Sequence, residues 1–459
     1  MTEKNEQYNN SSEGVSALKI VRTIDGIPAD SAAVISGRKA RRDNPGLHAQ
    51  KQKKIERASR EQLRSDPFLW GIYLMLIVYS VIELYSASSS EIKDGRVFAP
   101  IIQHGIFLAI GFVLMLIMAN IHYKVYRKTA VLFAIFAVVL IIWSMMGGVI
   151  INGAQRAIRL GGFTIQPAEI AKLALVVVLA KVIAKHQMPG GVTNTGMFIA
   201  LGITALFCAL LFKNGLTNTV LILGTAVSML IIGGLQMRKL LILAIVAAGI
   251  GGPIIYKKFF VKEESGGTAV EQTVNVAINR EDLRIDRTEV RKDRIQNFIS
   301  GVQPDDKITD ENRQVIFSKF AQAHGGIIGN GPGNSRENAR LPLAFSDYIF
   351  SIIIEDTGLI GGIFLLLMYL SLIGAAGRIA LKCKKAFPAL LIMGCAVMIT
   401  MQALMHMSIV VGIVPVSGQP LPFISKGGTS VIVMSAAMGM MLSVSKFATR
   451  DSKNRQKES

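Results

Sequence analysis

Cysteine is scarce in this chain. Cys208, Cys383 and Cys395 are the three in 459 residues. Two lie in apolar runs and one in a basic loop, so neither a disulfide framework nor a metal-type spacing follows. Acids are also short: 31 Asp and Glu face 50 Lys and Arg, a net charge of +19. The first apolar run starts only near Phe68, so no cleavable signal segment is expected. The glycine-rich run from Gly329 to Ser335 is not followed by Gly-Lys-Ser/Thr, which excludes a nucleotide P-loop.

What the chain has in quantity is hydrocarbon. It is 51% hydrophobic with a mean hydropathy of +0.44. Apolar runs near 20 residues recur, and they are continuous rather than alternating, which points to membrane-spanning helices. Ten are expected, at 68–87, 100–120, 128–146, 170–184, 196–212, 219–235, 240–256, 348–373, 386–411 and 431–444. The expected fold class is an all-α integral membrane protein with ten transmembrane helices.

Basic clusters fix the expected orientation. Lys124, Arg127 and Lys128, then Lys185, then Arg238 and Lys239, then Arg378, Lys382, Lys384 and Lys385, fall in alternate loops. Lys and Arg stay inside, so these loops and both termini are expected in the cytoplasm. The positive charge is therefore a topology signal, and no nucleic-acid partner is expected. Residues 1–66 read as a basic, largely disordered cytoplasmic tail suited to anionic membrane lipid. Residues 67–446 read as the ten-helix domain and 447–459 as a cytoplasmic tail. Residues 257–347 become a large extracytoplasmic loop between helices 7 and 8. Within it, 314–323 reads as a helix lying on or re-entering the bilayer.

Four motifs face that outer side. In Asn152-Gly-Ala-Gln-Arg156-Ala-Ile-Arg159, followed by Gln166-Pro-Ala-Glu169-Ile-Ala-Lys172, Pro167 is placed to start a helix. Glu169 and Lys172 then share a face and can pair. That pair either ties helices together or holds Lys172 where it, Arg156 and Arg159 face an anionic ligand. The run Gly329-Asn-Gly-Pro-Gly333-Asn-Ser335 is either a tight turn or an anion nest. Asp347 stands at a helix start and can cap it. Glu355 and Asp356 lie two turns deeper, where they need a cation such as Lys172 or a water-lined cavity. Pro415 to Ser430 carries three prolines and irregular backbone near membrane depth, with Lys426 adding a cation to the outer mouth.

At these motifs the chain resembles the SEDS family, which includes FtsW, RodA and SpoVE. The matching pieces are N-G-A-x-R with Q-P-x-E-x-x-K, then G-x-G-x-G-x-S with L-P, D-Y-I-F and E-D-x-G, then P-V-S-G-x-P-L-P-F-I-S-x-G-G-T-S. The resemblance covers roughly 68–446, and the long basic amino-terminal segment is most like FtsW. It implies a peptidoglycan glycosyltransferase that polymerises lipid II at the outer face of the cytoplasmic membrane, in septal synthesis during cell division. Alternatives are an elongation-type polymerase, a lipid II flippase or a scaffold. The implied partners are a class B penicillin-binding protein (an FtsI-like transpeptidase) and other divisome proteins. A divalent cation, Mg2+ or Mn2+, is expected, and no organic cofactor.

The family's essential aspartate precedes a glutamine whose place Gln314 takes here. That implies Asp306 as the catalytic base, with Asp305 second and Asp310 third. The resemblance places Gln314, Asp347, Glu355, Ser425 and Lys426 with Arg156, Arg159, Glu169 and Lys172 around the substrate. The chain departs from the family pattern at Ala157, Ala168, His406 and Lys426, where tryptophan, serine, asparagine and tyrosine are usual.

Overall fold

The structure, a computed structural model, describes residues 65–87, 99–151, 154–160, 163–212, 215–236, 238–239, 241, 298–299, 301, 307–309, 312–338, 340–341 and 344–458. Nearly all of the expected span at 240–256 lies outside them, as do most of the amino-terminal segment and most of 257–311.

In chain order the elements are α1 (Pro67–Ala87), α2 (Ala99–Asn120), α3 (Tyr123–Gly147), β1 (Val149–Ile151), β2 (Ala154–Leu160), β3 (Phe163–Ile165), α4 (Pro167–Lys185), β4 (Gln187–Met188), β5 (Gly191–Val192), α5 (Asn194–Phe212), α6 (Leu216–Ile232), α7 (Arg313–Gly325), α8 (Ile349–Leu381), α9 (Ala386–Val411) and α10 (Gly428–Glu458). Among the described residues, seven helices are long and apolar enough to cross a membrane: α1, α2, α3, α5, α8, α9 and the first part of α10. The apolar helix α6 is shorter. It runs three residues earlier than the expected 219–235, so Asn218 falls inside its first turn.

The fold is not purely α. The expected loop between α3 and α4 is an antiparallel sheet of order β1-β2-β3, with Ala157 opposite Val149 and Arg159 opposite Thr164. Alternation of Ala157 and Ile158 with Arg159 is short, and three-residue strands leave little signal for a period-2 reading. A second small ribbon pairs β4 with β5.

The helices sort by what surrounds them. α4, α9 and α10 are inside: residues 171–180 of α4 are all buried, and α10 packs most extensively on α2. α1, α2, α3 and α5 turn Val78, Ile117, Leu132 and Phe198 outward as exposed apolar side chains. A helix apolar all round suits a bilayer on one side and protein on the other. α4 carries Glu169, Lys172, Lys181 and Lys185 and is not among the seven; its neighbours surround it.

Side-chain bonds define two ends of the bundle. At one, Lys446 reaches Asn120, Ser443 reaches the Ile121 carbonyl, Lys239 reaches Asn194 and Arg378 lies over Phe68. At the other, the β3 region, the segment before α8 and the proline-rich loop before α10 are stapled together. Thr429 donates to the Thr164 carbonyl, Ser425 donates to the Ser346 carbonyl, and the Lys426 N–H bonds the Phe345 carbonyl.

Candidate functional site

The second end holds nearly all of the expected site residues that are described. α4 begins with Pro167 at its first turn after Gln166, where a missing N–H does no harm. One turn on, Lys172 Nζ donates to Glu169 Oε1 at 2.7 Å, both side chains being about 2% exposed. Lys172 also donates to Gln402 Oε1 on α9. The other end of that amide donates to the Pro420 carbonyl at 3.2 Å and to Ser430 Oγ at 3.3 Å. A buried cation is thus tied to a carboxylate, an amide and the proline-rich loop, which is what keeps an ammonium tolerable at this depth.

One turn further along α9, His406 bonds the Gln419 carbonyl through Nδ1 at 2.6 Å, and Gln419 Nε2 donates to Asn218 Oδ1 on α6 at 3.1 Å. Gln402, His406 and Gln419 are all buried. Of these the sequence reading singled out only His406, and that as a departure. The signal for Gln402 and His406 was present: two polar residues four apart in an apolar run face the same partner.

Ser425 is a structural clamp. Its Oγ accepts from the Leu421 N–H and donates to the Ser346 carbonyl, each at 2.7 Å, so it does not present a hydroxyl to a ligand. Lys426 lies 4.4 Å over the Phe345 ring, half-buried. Asp347 does not cap α8. The cap position is Tyr348, without a side-chain bond, while Asp347 accepts from Ser346 Oγ at 2.9 Å and lies against Gly418. Arg159 is exposed on β2, and Gln314 is half-buried in the first turn of α7. The Arg156 side chain and Asp305, Asp306 and Asp310 lie outside the described residues.

Glu355 belongs to a separate construction. It is not paired with Lys172. Its carboxylate accepts from Ser335 Oγ at 2.5 Å and from the Arg336 and Glu337 N–H groups at 2.8 and 3.4 Å. His324 stands 3.9 Å away. Asp356 accepts from Ser86 on α1. The expected single span here is broken: Gly358 has φ 70° and ψ −173° inside α8. The turn after α7 fills the break. Asn330 and Gly331 donate to the Glu355 and Asp356 carbonyls, and Leu359 and Ile360 donate to the Gly326 and Ile327 carbonyls. Non-helical backbone at membrane depth survives where protein supplies its partners. A Cβ at Gly329 would sit 2.3 Å from the Asp356 carbonyl. Gly329 therefore serves close approach, and the N–H groups of 329, 330, 331, 333 and 334 are all bonded within the protein, which favours the tight turn over the anion nest.

Glu83 on α1 escaped the sequence reading altogether. It is buried between Tyr79, which bonds Thr357, and Ser86, and neither of its carboxyl oxygens has a partner among the described residues. It is one carboxyl in an otherwise apolar run, a signal that was legible.

The expected divalent cation needs a cluster of oxygen ligands. Among the described residues no group of three or more His, Cys, Asp or Glu side chains is arranged to hold a metal ion, so no chemical step is drawn through one.

Comparison with known proteins agrees with this architecture. The chain is 30% identical over 391 residues to a Geobacter sulfurreducens protein named "Probable peptidoglycan glycosyltransferase FtsW", covering 83% of this chain and 95% of that one. It is 29% identical over 388 residues to "Peptidoglycan glycosyltransferase MrdB" of Escherichia coli K12, covering 84% and 94%. "Stage V sporulation protein E" of Bacillus subtilis is 28% identical over 392 residues, covering 83% and 97%. Among solved structures, Thermus thermophilus RodA superposes with a TM-score of 0.57 at 19% identity, covering 84% of this chain and 98% of that one. A chain from "Structural coordination of polymerization and crosslinking by a peptidoglycan synthase complex" superposes with 0.65 at 20% identity, covering 84% and 99%. The sequence pattern of the FtsW, RodA and SpoVE family, described as "Cell cycle protein", matches residues 67–450, and the chain belongs to that family.

Proposed function

We propose that this chain is a peptidoglycan glycosyltransferase that polymerises lipid II, with the stapled end of the bundle as its reaction face. The observation that carries the reading is the buried Glu169–Lys172–Gln402 constellation under the proline-rich loop, in a chain whose relatives carry that activity in their names. Such a constellation is costly in hydrocarbon and is kept where a polar substrate must be met.

In the reaction, a carboxylate takes the proton from the acceptor sugar's 4-hydroxyl as that oxygen attacks the donor's anomeric carbon. The bond from that carbon to the lipid diphosphate breaks, and the diphosphate leaves with its tail. Asp306 is the base in this reading. Arg156, Arg159 and Lys426 supply positive charge at the rim where the diphosphate develops, and Lys172 adds to it from below. The lipid tail lies along the apolar outer helices.

The topology we assign has ten transmembrane helices, the stapled end outside and both termini in the cytoplasm. Support comes from the opposite end, where Lys124, Arg127, Lys185, Arg238, Lys382, Lys384 and Lys385 stand at or just beyond the helix ends. A class B penicillin-binding protein is the assigned partner, and the long basic amino-terminal segment favours septal over elongation synthesis.

The test is polymerisation of lipid II by the purified complex in detergent, where sidedness vanishes and a transporter makes no product. Wild type forms glycan strands and Asp306→Ala forms none while remaining folded and partner-bound. Wild type that makes no glycan yet moves lipid II across vesicles replaces the reading with transport. Polymerisation retained by Asp306→Ala moves the base to Asp305 or Asp310.

A further inference from the structure

The polar column beneath the proline-rich loop holds acceptors that no donor among the described residues reaches. His406 Nδ1 meets a carbonyl, which can only accept, so Nδ1 carries the hydrogen and the neutral ring leaves Nε2 as an acceptor. Gln419 donates one of its two N–H hydrogens to Asn218 and keeps Oε1. Glu169 gives one oxygen to Lys172 and keeps the other. These three atoms, His406 Nε2, Gln419 Oε1 and Glu169 Oε2, are buried and have no partner among the described residues, and Ser417 Oγ beside them is in the same condition. The hydrogens left over are the third of the Lys172 ammonium, the second of the Gln419 amide and that of the Ser417 hydroxyl, and none of them reaches these acceptors.

That balance selects a ligand. Buried acceptors left without donors are costly, and a site of this kind discriminates strongly for a molecule that supplies the missing O–H or N–H groups. A diphosphate has only acceptor oxygens and gains nothing from His406 and Gln419. Sugar hydroxyls and acetamido N–H groups fit both. Gln419 follows the half-exposed segment 414–418, and Gln402 and His406 hold the Pro420 and Gln419 carbonyls, so the column is bonded to the loop of the face assigned to the reaction.

We propose that the column between α4, α6 and α9 is the sugar subsite of the lipid-linked substrate, with His406 Nε2 and Gln419 Oε1 accepting from the saccharide's hydroxyl or amide groups. The diphosphate stays above, with the rim arginines. This rests on the glycosyltransferase reading and adds to it which part of the substrate enters the bundle.

The experiment compares binding of lipid II with binding of undecaprenyl diphosphate, which keeps the tail and diphosphate but lacks the sugars. Both are titrated against the purified complex, with glycan synthesis by the wild type run on the same preparation. His406→Ala weakens lipid II binding about tenfold, the loss of one good hydrogen bond to a buried partner, and leaves undecaprenyl diphosphate unchanged. His406→Asn, which restores an acceptor, recovers part of the loss. Gln419→Met, close in shape and without the amide, gives the same selective loss and carries the test should His406→Ala fail to fold. Equal weakening of both ligands makes the column a diphosphate site and overturns the proposal. No change in either reduces His406 to packing or a buried water and overturns it too. Wild type that polymerises while these variants behave so isolates the failure to this subsite. Wild type that neither polymerises nor binds lipid II removes the functional reading itself.

Discussion

Glu169 and Glu355 pose the same problem and are handled in opposite ways. Each is a carboxylate buried on a helix of an apolar bundle. Glu355 is enclosed by its own chain: a hydroxyl and two backbone N–H groups from residues 335–337 take both its oxygens. Glu169 receives one side-chain cation, which it shares with Gln402, and keeps an oxygen free of any partner among the described residues. The first arrangement is closed and rigid. The second leaves polar capacity to spare, and spare capacity in a dry place is where a substrate has something to gain.

Three perturbations sharpen the contrast. Gly358→Ala has the largest effect. Its φ of 70° and ψ of −173° lie where essentially only glycine goes, at about 1–3 kcal/mol for a residue with a Cβ, and that Cβ would sit 2.2 Å from the Ile327 carbonyl. The expected outcome is loss of folded protein, read by monodispersity in detergent. Normal yield would show that the helix break is soft and the closed region is not closed.

Lys172→Met comes next. It leaves Glu169 buried without its cation, at about 3–5 kcal/mol, seen as a lowered Tm, and it abolishes glycan synthesis. Adding Glu169→Gln restores most of the Tm and none of the synthesis. A double variant that polymerises would reduce the pair to a tie between helices.

Glu355→Gln is the mildest. The amide keeps one acceptor for the Arg336 N–H and loses the other, at about 1–3 kcal/mol. Tm falls while KM for lipid II stays where it was. A raised KM at unchanged Tm would put Glu355 back among the substrate contacts and erase the distinction.

How much of this was legible varies with the range of the interaction. Glu169 and Lys172 are three apart on one helix, and local geometry was enough to pair them. Pro167 marked where that helix starts, and the helix α7 was visible from its apolar face, of which Ile316, Phe317 and Ala321 are the buried part. Gln402 could not be joined to Lys172, because 230 residues separate them and nothing local aligns α9 with α4. Asp347 looked like a cap because the reading knew only its neighbours, while its real contact, Gly418, comes from another loop. Lys172 seemed available to Glu355 for the same reason.

By itself the sequence determined that the chain lives in a membrane, where its helices run, which loops carry the positive charge and which family its motifs resemble. These follow from hydrophobic runs and short-range spacing, which a linear chain displays openly. Only the tertiary structure decided which buried carboxylate is sealed and which is left with an open valence. That depends on backbone donors and amides brought together from distant helices, and hydrogen bonds reach no further than about 3 Å.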